Sequence, residues 1–331
     1  MPQDHSQRRP GRRAFIAGAT AAGLAPAGLR AQGAWPERTI TIVVSFAPGG
    51  SSDISARLIA PSLTELLGRP VVVENRGGAG GNIGIGYVAR AQPDGYMLLA
   101  TSSAFVVNPS LYKRAPYDPF RDFQPIATLG ASPNVIAVRP DSPFRTLPEL
   151  VAFAKANPDR LNYASPGSGT TPHLAGEVLK ARAGIAMQHV SFVGAGPAVQ
   201  AAIAGTVDLV VAHQGSVEAQ LRSGQLRPLA HTGEGRQPDW PDLPSLGELG
   251  IQDAVSETFL ALFAPDGVPE PVMERLNAAV SETLRRPEIQ QRFRQAGMPV
   301  VGGGAAELRA RVAREVPLWR QVVQQAGITA D

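Results

Sequence analysis

Short apolar runs alternate along this chain with stretches in which apolar residues recur every three or four positions. Thr39–Phe46 (TITIVVSF) is β-branched and apolar throughout, the pattern of a buried strand. A Gly/Ser turn, Ala47–Ser52, follows it. Ile54, Leu58, Ile59, Leu63, Leu66 and Leu67 then fall at helical spacing, and Gly68 supplies a stop. Val71–Glu74 reads as a second strand, Gly77–Gly81 as a glycine loop, Ile83–Ala91 as a helix and Met97–Thr101 as a third strand. This β-α-β-α-β order predicts a parallel sheet with helices on both faces.

A second α/β run begins at Asn134–Val138, a strand, followed by a helix over Leu147–Ala156 with Thr146 at its N-cap. Asn162–Ala164 is a short strand, Ser165–Thr171 another Gly/Ser/Thr turn, and Pro172–Ala183 a helix. Gln188–Ser191, Val207–Val211 and Leu226–Ala230 read as strands, with a helix near Pro197–Ala204. Residues 233–250 are Pro-rich and loop-like. Thr258–Phe263 reads as a strand, and Glu270–Arg285, Pro287–Ala296 and Ala305–Ala326 as closing helices. The 331 residues exceed the usual size of one core, so two α/β domains are expected.

Both runs place a small-residue turn between a strand's C-terminal end and a helix's N-terminal end. Such turns aim backbone N–H groups and the positive helix end at one spot, which favours an anion. Ala47–Asp53 carries the strongest signal of this kind; Ser52 or Asp53 can equally serve as a helix cap. No G-x-x-x-x-G-K-[ST] occurs, so a P-loop is excluded. Gly84-Ile85-Gly86-Tyr87-Val88-Ala89 lies inside a helical pattern rather than opening one, which favours close packing over dinucleotide binding. Ser165–His173 lacks the G-x-S-x-G elbow of a hydrolase. His173, one turn into its helix, can cap, pack or touch a ligand, and Asp208 can close a turn or lend polarity to a pocket.

The N-terminus reads as an export signal over residues 1–31. Arg12-Arg13-Ala14-Phe15-Ile16 resembles a twin-arginine signal, and the uncharged run Ala14–Leu29 is too short and weakly hydrophobic to hold a bilayer. Cleavage is expected after Ala31, with Ala27 as an alternative. Setting that segment aside takes five arginines from the 31 basic residues and one aspartate from the 28 acidic ones. The remaining 26 and 27 nearly cancel, so the basic balance gives nucleic-acid binding no support. With no cysteine, disulfides and Cys-ligated metals are absent, and the histidines show no metal-binding spacing. No metal or cofactor is expected, nor insertion of the mature chain in a membrane.

Several ordered motifs then carry a family resemblance over about residues 35–329. They are Trp35-Pro36-Glu37-Arg38, Phe46–Asp53 with Arg57, Val73–Gly84, Pro93-Asp94-Gly95-Tyr96 and Asn108–Tyr112. In the second half come Ser165–Gly169, His173–Glu177 and Gly194–Ala198. With these the chain resembles the extracytoplasmic solute-binding proteins of tripartite tricarboxylate transporters, the Bug family. The resemblance implies a type II periplasmic-binding-protein fold, two α/β lobes joined by crossover strands at Phe123–Leu129 and Thr258–Phe263. Lobe 1 would hold 36–130 plus 258–331, and lobe 2 would hold 131–257. It also implies a monomeric periplasmic receptor, not an enzyme, that passes a small carboxylate to membrane permease subunits.

Carried onto this chain, the resemblance implies a ligand site of Phe46, Ala47, Gly49, Gly50, Ser51 and Asp53 from lobe 1, with Ser102 and Ser103 at a strand end. From lobe 2 it implies Ser165, Gly167, Ser168, Gly169, Thr170 and His173, with Gly194, Ala195 and Gly196; Asp208 joins them as the polar candidate above. Two departures from the family pattern, Phe105 and Ser191-Phe192-Val193-Gly194, predict a less polar cleft. Two other classes fit the same residues: a receptor for a sensor kinase, and an exported hydrolase using Ser168 and His173.

Overall fold

The computed structural model describes residues 1–3 and 35–326, apart from 234, 238 and 253–255. The export-signal reading therefore falls almost wholly outside the described residues. In chain order the first elements are β1 (Ile40–Val44), α1 (Ser51–Leu67), β2 (Val71–Asn75), α2 (Asn82–Ala89), β3 (Met97–Ser102), α3 (Ala104–Leu111) and β4 (Phe123–Val138). Next come α4 (Leu147–Ala156), β5 (Asn162–Ser165), α5 (Thr171–Ala183), β6 (Gln188–Ser191), α6 (Ala195–Ile203), β7 (Leu209–His213), α7 (Gln214–Arg222) and β8 (Arg227–His231). The chain closes with β9 (Glu257–Pro265), α8 (Glu270–Arg285), α9 (Pro287–Gln295) and α10 (Ala305–Ala326).

The strands run in the order β2-β1-β3-β9-β4-β7-β5-β6, with β8 on β4. In the first lobe β1 pairs parallel with β2 and β3, and β9 pairs antiparallel with β3 and with β4 up to Pro133. In the second, β5 pairs parallel with β6 and β7, while β4 from Asn134 onward pairs antiparallel with β7. β4 is thus one 16-residue strand that changes partners midway. The expected break between a crossover ending at Leu129 and a new strand at Asn134 does not occur. Pro133 is tolerated because it sits where the partners change, and bulges at Pro125/Ala127 and Thr128/Gly130 absorb the irregularity.

The uniform apolar character of the strands follows from helices on both faces. In β1, Ile40, Ile42 and Val44 face one cluster with Ile59 and Leu63 of α1 and Leu276 and Val280 of α8. Val43 faces another with Phe105 of α3 and Leu308 and Val312 of α10. Residues of β9 alternate likewise: Leu260 and Leu262 join the first cluster, Phe259 and Phe263 the second. All three C-terminal helices therefore complete the first lobe, α9 through Ile289 and Phe293. In the second lobe Ile136 and Val211 pack with α4 and α5, while Val210 and Ala212 pack with α6 and α7.

Gly84 is packed against the strand before α2: a Cβ there would lie 2.6 Å from the Arg76 carbonyl oxygen and 2.7 Å from Ser45 Cα. Close helix–strand packing accounts for that glycine, as its place inside the helix predicts. Among the described residues, no helix is long and apolar enough to cross a membrane, and no cluster of three metal-ligating side chains occurs.

Candidate functional site

The parallel strands of both lobes point their C-terminal ends at the gap between the lobes, where ligands of open α/β sheets bind. A small pocket of about 30 Å³, open to the outside, lies there. The first lobe lines it with Phe46, Gly50, Ser51, Ser52 and Ser102. The second contributes Pro166, Thr170, Pro172, Ala195, His213 and Ser216, and Thr258 of β9 completes the wall.

Four helices, α1, α5, α6 and α7, open on residues of this wall or beside it. Their first-turn N–H groups have no intrahelical partners, and each helix end carries partial positive charge. No Lys or Arg lies among the lining residues. Hydroxyls supply the remaining polarity. The arrangement favours an anion of low charge, held by backbone dipoles and hydroxyls rather than by an ion pair.

The lobes touch across the cavity mouth. Ser51 N–H donates to Ser216 Oγ at 3.0 Å, and the two hydroxyls lie 2.9 Å apart. Tyr112 O–H donates to the Ser168 carbonyl at 2.8 Å. Glycines let the backbones approach along this seam. A Cβ at Gly194 would fall 2.9 Å from Ala47 Cβ, and one at Gly196 2.7 Å from the Pro48 carbonyl oxygen. Gly49 stands opposite Gly196, Gly167 opposite Gly80, and Gly169 beside Asn108 of α3. The geometry thus gives Ala47, Gly49, Gly167, Gly169, Gly194 and Gly196 a place at the seam. Phe46, Gly50, Ser51, Ser102, Thr170 and Ala195 stand in the cavity wall itself.

Other expected site residues do structural work beside the cavity. Asp53 is buried with both oxygens engaged: Gly49 N–H donates to Oδ2 at 3.0 Å, and Arg57 and Asn75 donate to Oδ1 at 2.9 Å each. Burial pushes its carboxyl up, but Arg57, the Gly49 N–H and Asn75 together leave it below its ordinary value. It fixes the Gly49 turn rather than facing the cavity. Ser103 is turned into the sheet, its Oγ accepting from Phe259 N–H at 2.8 Å. Ser165 Oγ bonds His189 Nε2 at 2.7 Å. Ser168 Oγ donates to Ser191 Oγ at 3.4 Å.

His173 Nδ1 accepts from Gly169 N–H at 3.3 Å, and its ring stacks on His189 at 4.1 Å between centroids. It braces the loop from behind. Burial, then the charges of His173 and Lys180, push the His189 imidazole down to about 3. Asp208 is a correction: it caps the start of β5, accepting from Asn162 N–H at 2.8 Å. That is the far end of β7 from His213, five rises or roughly 16 Å away. Phe105 is a second correction. It is fully buried in the first lobe, stacked on Phe263 at 4.2 Å between centroids, so it takes no part in cleft polarity. Val193 is exposed at 59%, and it too is absent from the cavity wall.

The sequence reading missed Ser52, Pro166, Pro172, His213, Ser216 and Thr258. For two of them a signal was present. Ala212-His213-Gln214-Gly215-Ser216 repeats the strand–turn–helix device of the other loops, with Val217 and Leu221 at helical spacing behind it.

A family model described as "Tripartite tricarboxylate transporter family receptor" matches residues 55–328. The periplasmic binding protein BugD is similar at 36% identity and a TM-score of 0.86, covering 90% of this chain and all of that one. Rpa4515 of R. palustris, solved with adipate, is 31% identical with a TM-score of 0.86 and the same coverage of 90% and 100%. MatC (Rpa3494) from Rhodopseudomonas palustris, with bound malate, is 33% identical with a TM-score of 0.82, covering 87% of this chain and 99% of that one. The chain belongs to the receptors of the tripartite tricarboxylate transporter family, the Bug-type solute-binding proteins.

Proposed function

We propose that this chain is an exported periplasmic receptor that closes two lobes around a small carboxylate and delivers it to a membrane permease of the tripartite type. The observation that carries the reading is the convergence of helix N-termini and hydroxyls on a small cavity with no cationic lining. Two relatives solved with adipate and malate support the substrate class. In this reading the first lobe spans 36–130 plus 258–331 and the second 131–257. Both the change of partners in β4 and the return of α8 and α10 to the first lobe support that division. The receptor acts as a monomer without a cofactor.

A hydrolase using Ser168 and His173 is disfavoured by the separate hydrogen bonds of the two side chains, Ser168 to Ser191 and His173 to Gly169. A sensor-kinase receptor would bind its ligand in the same way, and no feature of the site favours it.

A thermal-shift screen of mono-, di- and tricarboxylates tests the reading. A ligand that binds only the folded chain adds about 2.7 kcal/mol at a hundred times its Kd, enough to raise Tm by several degrees. No shift with any acid at millimolar concentration would overturn the carboxylate assignment. Export is tested separately. Replacing Arg12-Arg13 by Lys-Lys should leave unprocessed precursor inside the cell, read by immunoblot of periplasmic and cytoplasmic fractions. Normal processing in that variant would reject the twin-arginine route.

A further inference from the structure

A buried side-chain nitrogen or oxygen without a hydrogen-bond partner calls for an explanation in a water or a ligand. Among the described residues with such atoms, His213 alone stands in the wall of the cleft; its unpartnered atom is Nδ1. His213 ends β7, stands at the N-cap of α7, and is 2% exposed. Its other ring nitrogen, Nε2, is 2.9 Å from Ser132 Oγ on β4. The backbone of Thr258 lies near the ring without reaching hydrogen-bond geometry with Nδ1.

These neighbours fix what the ring can offer. A buried neutral imidazole has one N–H and one bare nitrogen. The Ser132 hydroxyl can donate to Nε2, which leaves the proton on Nδ1. His213 and Thr258 sit on the hinge side of the cavity, where β4, β7 and β9 meet. Ser51, Ala195 and Ser216 stand at helix starts, where a first carboxylate would be held.

We propose that the Nδ1–H of His213 donates to a second oxygen-bearing group of the bound acid and so selects bifunctional acids over monocarboxylates. The inference rests on reading the cleft as a carboxylate site. A site built to hydrogen-bond a substrate group rejects the analogue lacking it, because its own buried polar group is then left unpaired. A neutral donor does this without the desolvation cost of a buried Lys or Arg.

Titration calorimetry with two matched pairs, succinate against butyrate and adipate against hexanoate, tests it. The parent should prefer at least one diacid over its monoacid by about tenfold or more. In His213→Leu the ratio should fall toward one, chiefly through weaker diacid binding. His213→Asn, whose amide nitrogen can stand near the Nδ1 position, should keep part of the preference. If the parent binds none of the four acids, the carboxylate reading itself fails and takes this inference with it. If the parent binds but shows no diacid preference, or a folded His213→Leu retains the preference, the inference alone is overturned. Should His213→Leu not fold, ¹⁵N-histidine NMR of the parent decides. The His213 Nδ1 resonance should move with the preferred diacid, and an unmoved resonance at saturation rejects the contact.

Discussion

Gly196→Ala should weaken carboxylate binding by roughly five- to 150-fold while leaving the ligand-free protein as stable as the parent. Gly196 lies in the first turn of α6 with a negative φ, so an Ala there strains no backbone and gains helix propensity. Its Cβ would nonetheless fall 2.7 Å from the Pro48 carbonyl oxygen on the opposite lobe. That oxygen belongs to backbone and cannot rotate away, so the lobes must part by several tenths of an ångström. Overpacking of this kind costs about 1–3 kcal/mol, and here the cost falls on the lobe-to-lobe contact rather than on folding. Gly80 and Gly194 also meet the other lobe, but their φ of 61° and 124° would strain any replacement before closure is reached. Gly196 therefore separates closure from folding. Calorimetry should show the weaker affinity, small-angle scattering a larger radius of gyration with ligand, and calorimetric melting an unchanged Tm. Parental affinity in this variant would mean that the seam between α6 and Pro48 does not have to close.

Much of this architecture is legible in the residue pattern because a strand covered on both faces must be apolar at every position. Ile40–Val44 satisfies that with alternate residues entering different cores. The helices α8 and α10 are equally legible as amphipathic segments. Their partner is not, since an apolar stripe says that something covers it and not what. Only the packing of Leu276 and Val280 beside Ile59 and Leu63 places α8 on the first lobe. Two short helices escaped because a breaker sits inside each: Pro109 in α3, and Gly215 in the first turn of α7. Gly215 is required there by tertiary packing, as a Cβ would meet Met298 Cγ at 2.1 Å.

The cavity wall was half legible for a related reason. Loops with the strand–turn–helix signature gave Gly50, Ser51, Thr170 and Ala195. Signature alone could not say which side chains in those loops face inward. Asp53, Ser103 and Ser165 are spent on Gly49, Phe259 and His189 instead. Asp208 failed on strand direction, since only the C-terminal end of β7 reaches the cleft. Thr258 carries no local signal at all. It enters the wall from a crossover strand, held by Thr171 and by Asn134 Oδ1, which accepts its hydroxyl at 2.8 Å.

The histidines give the second large expected effect: acid should unfold this protein from about pH 6.5 downward, far above the range where carboxylates protonate. Burial pushes His213 down to about 3, and burial with the charges of His173 and Lys180 does the same to His189. Burial also lowers His231. In the unfolded chain these rings titrate near 6.5. Below that pH the unfolded chain therefore holds more protons than the folded one, so stability is full above 6.5 and drains as pH falls toward 3. Two such rings remove about 3 kcal/mol by pH 5.5, and about as much again for each further unit, a large part of a typical 5–15 kcal/mol. Asp53 contributes in the opposite corner of the scale. Its folded value is depressed, so its contribution is present above about 4 and is lost only below it. Chemical denaturation at pH 7.5, 6.5, 5.5 and 5.0 reads the slope directly. His213→Gln and His189→Gln keep hydrogen-bonding groups near the Nε2 positions beside Ser132 and Ser165 and remove one titrating ring apiece, so each should lower the slope between pH 6 and 5 by a third to a half. A free energy of unfolding that stays flat from pH 7.5 to 5.0 in the parent would show that both rings reach solvent and charge within the folded protein.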